Sequence, residues 1–250
     1  MEVHHHAHTA RKKWTHYFWE FLMLFLAVFC GFLAEYQLEH KIEKDREKQY
    51  ASSLYEDLKI DTATLKESMR INDFVTRKID TFRNMVQHQS LQSLPAGTWY
   101  YYGRFGTRYM QVAFQDATLH QLKSSGGLRY FKNRQIADAI ARYDQACRRL
   151  QTQLTFQDPV YALLLSTRDK IFNAYFLDEV MDLDLPAEKI DSFKQKTMPF
   201  LTEDKKDFIQ YANICQIRSN NNKNLWQRKS ETLKRGEQLL ALLKSKYRLQ

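Results

Sequence analysis

The chain has 250 residues, of which 44% are hydrophobic and 27% are charged, and its formal net charge is +9. This composition excludes a disordered tail and is typical of a folded protein with its own hydrophobic core. The chain has only seven glycines and four prolines, which favours long helices joined by few turns.

An apolar segment near the amino end predicts a single transmembrane helix over residues 14–38. The run 21–34 contains 14 consecutive uncharged residues, and a helix over 14–38 would be about 37 Å long. Aromatic residues lie at both ends, as in membrane-interface belts. The basic cluster at 11–13 predicts that residues 1–13 stay cytoplasmic and that the rest crosses the membrane. A cleaved signal peptide and a lipoprotein signal are the alternatives, but no small-x-small pair follows the run and Phe29 precedes Cys30.

Small residues in this segment indicate a helix-packing face. Ala27, Gly31 and Ala34 share one stripe of a helix, where a second helix can approach closely. Glu20 lies one turn after His16, near the predicted membrane boundary. We expect Glu20 either to pair with His16 or a neighbouring helix, or to reach headgroup water.

The first 13 residues are rich in histidine, with His4, His5, His6 and His8. Clustered imidazoles can bind Zn, Ni or Cu. The alternatives are a mobile natural segment without specific metal binding, which we favour, and a purification remnant.

Residues 39–250 predict a helical periplasmic domain. The segment 39–49 carries eight charges and predicts a solvated helical stalk, and an apolar stripe continues the same helix to about residue 88. Residues 98–112 then form either a small hairpin or an aromatic loop that caps the bundle. Trp99, Tyr101, Arg104 and Arg108 are candidates for an aromatic surface that stacks on sugars or binds cations, with a role in the core as the favoured alternative.

The carboxyl-terminal half predicts three further long helices. One follows Asn133, one begins at Asp158 and extends to about Val180, and the last is capped by Thr202. Asparagines at 220–222 predict a kink or break in the last helix. The simplest arrangement is an antiparallel bundle in which the first and last long helices pair.

The last 43 residues hold nine basic residues against two acidic ones. A solvated helix face is the simplest interpretation of this charge. If the last helix returns toward the membrane, Lys244, Lys246 and Arg248 would lie near anionic headgroups. We expect no nucleic-acid partner, because the domain is predicted to be periplasmic.

Catalytic signatures are missing from the sequence. It has no phosphate-binding glycine loop, no HExxH and no GxSxG, so we predict no enzymatic activity and no cofactor. Cys147 and Cys215 can pair in an oxidising compartment, but two buried free thiols are the favoured interpretation.

Three stretches resemble a family of uncharacterised single-pass membrane proteins of Gram-negative bacteria, classed as a domain of unknown function. They are residues 20–25 with the small residues of the anchor, residues 43–58, and residues 122–129 with the apolar positions that follow. This anchor has Phe where the family typically has Ile or Val, and it lacks the family's Asn-Trp after the span. The resemblance implies an inner-membrane anchor with a helical periplasmic domain, and it implies no activity.

Together these features predict a membrane-anchored structural or accessory subunit. It would self-associate, or dock on a larger inner-membrane complex, through the transmembrane helix and the helical domain. The alternative is a periplasmic sensory or regulatory input module. That alternative requires a partner protein to carry the signal, since only a short segment precedes the span.

Overall fold

The computed structural model describes residues 14–108 and 111–249, which are all-α and contain no strand. The helices are α1 (Trp14–His88), α2 (Ala96–Gly103), α3 (Ala117–Ser124), α4 (Arg134–Thr155), α5 (Asp158–Ile171), α6 (Ala174–Leu177), α7 (Ala187–Lys194) and α8 (Lys205–Tyr247). Short 3₁₀ turns occupy Leu91–Ser93, Arg104–Thr107, Gly127–Tyr130 and Asp178–Val180. The chain divides into two units after Tyr50. The all-α prediction, with a long amino-terminal helix leading into a helical domain, is confirmed.

The first unit consists, in its described part, of the first half of α1. Nearly all its apolar side chains are exposed, from Trp14 to Leu38. Phenylalanine rings spaced one turn apart stack along this surface, with Phe25 and Phe29 5.9 Å apart between centroids. Of the described helices, α1 alone has the length and apolar composition needed to cross a membrane.

The second unit is built on an antiparallel pair made by the rest of α1 and α8. Lys66 forms an ion pair of 2.7 Å with Glu237, Asn72 Nδ2 donates to the Asn222 carbonyl at 2.9 Å, and Ser219 Oγ donates to Asp80 at 2.9 Å. Residue numbers rise along one helix while they fall along the other. The predicted antiparallel pairing of the first and last long helices is therefore confirmed.

The buried stripes of this pair follow one spacing. Buried positions of α8 recur in alternating steps of three and four residues: Phe208, Tyr211, Cys215, Arg218, Asn222, Leu225, Lys229, Thr232, Gly236, Leu239 and Leu243. This repeat keeps one face of a helix turned toward a partner over many turns. Helix α4 also packs on α8, where Thr232 Oγ1 lies 3.5 Å from the Ala146 carbonyl oxygen.

Residues 96–107 are helical, so the hairpin, one of the two alternatives for 98–112, is wrong. Three consecutive aromatic side chains of α2, at positions 99–101, are buried, whereas a strand would turn alternate residues to opposite faces. Glycines permit this burial on all sides: Gly103 packs against the ring of Phe172, and the Gly97 amide donates to the Lys196 carbonyl at 2.9 Å.

The rings of α2 belong to an aromatic cluster that also includes Phe82, Phe172 and Phe208. Phe172 lies at the centre, with its ring 4.9 Å from that of Tyr100 and 5.9 Å from that of Phe208. The Tyr100 hydroxyl donates to the Pro199 carbonyl at 2.6 Å and accepts from the Asn173 amide at 3.0 Å. The aromatic residues of this segment therefore form core, which was the favoured alternative.

Two helix boundaries differ from the prediction. Helix α5 ends at Ile171, because Asn173 is extended and its side chain caps α6 by accepting from the Tyr175 amide. The cap of α8 is Asp204, which accepts from the Lys206 amide at 2.9 Å, while Thr202 hydrogen bonds to Asp207.

Helix α8 also has no break at its asparagines. The side chain of Asn222 is buried and donates to Thr76 Oγ1 at 3.1 Å. This tertiary contact, together with the burial of neighbouring stripe positions, outweighs the low helix propensity of asparagine.

Candidate functional site: a basic cavity between α1 and α8

Polar residues replace apolar ones midway along the buried stripes of the helix pair. Arg218, Asn222 and Lys229 occupy stripe positions of α8, where they are only 2–3% exposed. Ser68 and Asn72 occupy the facing stripe of α1. Buried charged residues are costly unless they are paired or bind something, so this stretch of the bundle is the candidate functional site.

These side chains border a cavity of about 270 Å³. Arg108, which follows the 3₁₀ turn Arg104–Thr107, contributes a third cation. The apolar part of the wall comes from α1, α4, α8 and the connector before α7, namely Ile71, Val75, Leu154, Leu183 and Leu225. The described lining contains three cationic side chains and no carboxylate.

Lys229 is the least compensated of the three cations. Its Nζ donates to the Ser68 carbonyl at 3.4 Å, and no carboxylate in the described part of the chain forms an ion pair with it. Burial, together with the nearby positive charge of Arg218, lowers the pKa of Lys229 to about 8. The hydroxyl of Ser68 is itself buried and has no hydrogen-bond partner among the described residues.

Arg218 is held in place by hydrogen bonds to a side chain and to a backbone carbonyl. Its guanidinium donates to the side-chain oxygen of Gln157, which is fully buried, and to the Arg108 carbonyl at 3.2 Å. These bonds fix the guanidinium against the chain that leaves the 3₁₀ turn. Burial lowers the pKa of Arg108, so this side chain too is a cation in a poorly solvated position.

Arg108 also borders a smaller cavity of about 160 Å³, together with Arg104 and Arg168. Arg168 donates to Thr107 Oγ1 at 2.9 Å and forms an ion pair with Asp169. Arg104 is 3% exposed, and its guanidinium carbon lies 4.4 Å from the centroid of the Phe105 ring. Burial lowers the pKa of Arg104 to about 10.

The predicted aromatic surface is therefore wrong. Trp99, Tyr101 and Arg104 are at most 3% exposed, and Arg108 is half-buried. Because the aromatic rings pack into the core of the domain, no ring of this set is open to a sugar or a soluble cation. The two arginines contribute to cavities inside the domain instead.

A buried acid lies elsewhere on α1. Asp61 accepts from the Tyr143 hydroxyl at 2.7 Å and from the Gln115 amide at 2.8 Å, and burial raises its pKa. These bonds satisfy both carboxylate oxygens and connect α1 to α4 and to the segment before α3. Asp61 therefore has a structural role, and it forms no ion pair with Lys229.

The other predicted site residues do not cluster. Glu20, Ala27, Gly31 and Ala34 are exposed on α1, and nothing lies within 4 Å of a Cβ added to Gly31. The basic residues at the end of α8, Lys244, Lys246 and Arg248, are also exposed. Cys147 and Cys215 are buried free thiols and Cys30 is an exposed one, so the cysteine pair does not form.

The histidines at positions 4, 5, 6 and 8 lie outside the described residues. Within residues 14–108 and 111–249, no group of three or more His, Cys, Asp or Glu side chains is arranged to hold a metal ion.

Sequence reasoning missed the cavity because it followed apolar residues alone. The step of three and four that links Tyr211, Cys215 and Leu225 also includes Arg218, Asn222 and Lys229. A charged residue at a position that a core stripe requires was the available signal. The asparagine run concealed it, since it suggested a break rather than a buried face.

No family model, no curated protein and no solved structure matches this chain.

Proposed function

We propose that this protein is a single-pass subunit of the bacterial inner membrane that associates through its membrane helix. In this proposal residues 1–13 are cytoplasmic, residues 14–38 span the bilayer, and the helical domain lies in the periplasm. The helix associates either with a second copy of the chain or with a larger membrane complex. The basic cluster at 11–13 supports the sidedness, and the resemblance described above supports the membrane.

The observation that carries the proposal is the exposed apolar surface of the first half of α1. Nearly every apolar side chain between Trp14 and Leu38 faces outward, and a surface of this length would not stay soluble without lipid or a partner. Ala27, Gly31 and Ala34 lie on one stripe, and Glu20 falls on the same stripe two turns earlier. Small residues permit close backbone contact between helices in a bilayer.

The native Cys30 allows this association to be tested. It lies next to the small-residue stripe, while Cys147 and Cys215 are buried. Mild oxidation of native membranes is expected to link two chains through Cys30 if the helix self-associates. Substituting Ala27→Leu and Gly31→Leu together should reduce the cross-linked dimer, because leucine side chains keep the backbones apart.

The matched control is the pair Phe25→Leu and Phe29→Leu, on the opposite side of the helix, which should leave cross-linking unchanged. If wild-type chains do not cross-link, purification in a mild detergent should recover a different membrane protein that the Ala27→Leu/Gly31→Leu variant loses. Association through this stripe is contradicted if the variant keeps every partner of the wild type. Complete release of the chain by alkaline carbonate would contradict the membrane span itself.

A second candidate is a regulatory input module that acts through a partner protein. It is favoured by the position of the basic cavity, since the helix that contributes Ser68 and Asn72 to its wall is α1 itself. A substitution in the cavity, such as Lys229→Met, should then alter the yield of Cys30 cross-linking. An unchanged yield would leave the accessory-subunit proposal as the better one.

A further inference from the structure

The cavity between α1 and α8 has the features of a built binding site. It is lined by Lys229 and Arg218, which are 2% and 3% exposed, and by the fully buried Ser68. A functional reason is needed because removing an ammonium group from water costs free energy that a single 3.4 Å hydrogen bond to a carbonyl does not recover. A bound anion would supply the missing compensation.

We propose that this cavity binds a small organic carboxylate. Its carboxylate group contacts the Lys229 ammonium and the Arg218 guanidinium, and accepts a hydrogen bond from the hydroxyl of Ser68. Its apolar part lies against Ile71, Val75 and Leu225. The proposal concerns the interior of the second unit, and it does not depend on how the protein associates in the membrane.

The chemistry of the wall selects this class of ligand. The described wall holds cationic side chains and no carboxylate, which favours an anion, and the hydrogen-bond donors of Lys229 and Ser68 suit carboxylate oxygens. The leucine, isoleucine and valine side chains exclude a ligand that is charged over its whole surface, because they would leave part of its charge without a polar contact.

The size of the cavity limits the ligand. A volume of 270 Å³ corresponds to roughly nine water molecules at about 30 Å³ each, and therefore to a ligand of roughly ten non-hydrogen atoms. Benzoate fits this limit and is a rigid, soluble probe. Benzamide has almost the same shape without the charge, and acetate has the charge without the apolar part.

The test is calorimetric titration of the full chain in detergent with these three probes. Benzoate is expected to bind saturably. It should also raise the midpoint of thermal unfolding of the protein, because a ligand that binds only the folded state stabilises that state. Benzamide and acetate should bind about tenfold more weakly or worse, since each lacks one of the two recognised features.

Two substitutions locate the binding. Lys229→Met should weaken benzoate binding about tenfold, as expected for the loss of one charge-assisted contact. Ser68→Leu should abolish binding by filling the cavity without removing a cation, which provides an independent second test. Lys234→Met, at an exposed position of the same helix, is the control and should bind benzoate normally.

Three results would overturn the inference. They are the absence of benzoate binding to the wild type, equal affinity for benzoate and benzamide, and undiminished binding in both the Lys229→Met and Ser68→Leu variants. None of these results bears on the cross-linking of Cys30, so a failure here is distinct from a failure of the membrane proposal.

Discussion

One lysine lies among the buried positions of α8. Lys229 lies on the same face of α8 as Leu225 and Leu239, which are apolar and buried. Lys229 is 2% exposed, so its ammonium is removed from bulk water, and it shares the cavity with two arginines. The protein therefore maintains this charge at a cost to its own stability.

Replacing this lysine is expected to stabilise the protein. At pH 7 the variant Lys229→Met should unfold with a free energy higher by about 1 to 3 kcal/mol, because it removes a buried and uncompensated charge. Urea unfolding of the full chain in detergent measures the change, with Lys234→Met as the exposed control.

The stabilisation should depend on pH in a defined direction. The pKa of Lys229 is about 8 in the folded protein against an ordinary value of 10.5, so the unfolded chain binds the proton more tightly. The penalty is complete below about pH 8 and disappears as the pH rises toward 10.5. The difference between wild type and variant should shrink over that range, and a constant difference would show that charge burial is not its cause.

At the scale of single elements, α2 is held against α7 by a glycine. A Cβ added to Gly97 would lie 2.0 Å from the carbonyl oxygen of Phe193, whereas one added to Gly236 on α8 would lie 3.2 Å from the nearest side-chain atoms. The first contact involves backbone, which cannot move without shifting the end of α7. Both glycines are in helices, so they form a matched pair.

The variant Gly97→Ala should therefore lose about 2 kcal/mol or more of stability, as expected for overpacking against backbone. The variant Gly236→Ala should stay within about 1 kcal/mol of wild type, because the gain in helix propensity offsets mild crowding. Urea midpoints of the two variants give the comparison. Equal midpoints would contradict the close contact between α2 and α7.

The elements that the sequence predicts well are those with a strong apolar period. The continuity of α1 to residue 88, the start of α4 after Asn133 and the antiparallel pairing all follow from such stripes and their caps. The prediction fails where tertiary contacts override local preference. Residues 99–101 have aromatic side chains typical of a strand, yet they are helical because their rings fill a core formed by distant helices.

The candidate site is harder to predict from the sequence than the fold is. Arg218 and Lys229 carry no local motif, and their meaning depends on Ser68 and Asn72, which lie far away in the chain. Only the pairing of α1 with α8 brings the four side chains together. The predicted roles of Glu20, Ala27 and Gly31 concern association with other molecules, and they stay predictions.

At the scale of the whole molecule, the basic end of α8 has a defined place in the second unit. Because α8 runs antiparallel to α1, the exposed Lys244, Lys246 and Arg248 lie at the end of the unit where α1 enters it at Ala51. The opposite end of α8 begins with Lys205 and Lys206, which are also exposed. Contact between the first group and anionic lipid would add about 1 kcal/mol per residue.

We propose that this end of the unit contacts anionic lipid. Residues 51–250, which form a compact unit, should then show salt-sensitive binding to vesicles that contain anionic lipid. Changing Lys244, Lys246 and Arg248 to glutamine should weaken the binding by about 1 kcal/mol for each residue. Changing Lys205 and Lys206 in the same way should have little effect. Vesicle sedimentation measures both, and equal losses would indicate attraction to net charge rather than to one end of the molecule.

The pairing of α1 with α8 also has a consequence for biosynthesis. The hydrogen bonds that join the two helices link residues about 150 positions apart, such as Asn72 with Asn222 and Ser68 with Lys229. The buried stripe of α1 must therefore stay uncovered during synthesis until α8 has also been made. A newly made chain should depend on a chaperone during this interval, and a chain truncated within α8 should be degraded by proteases.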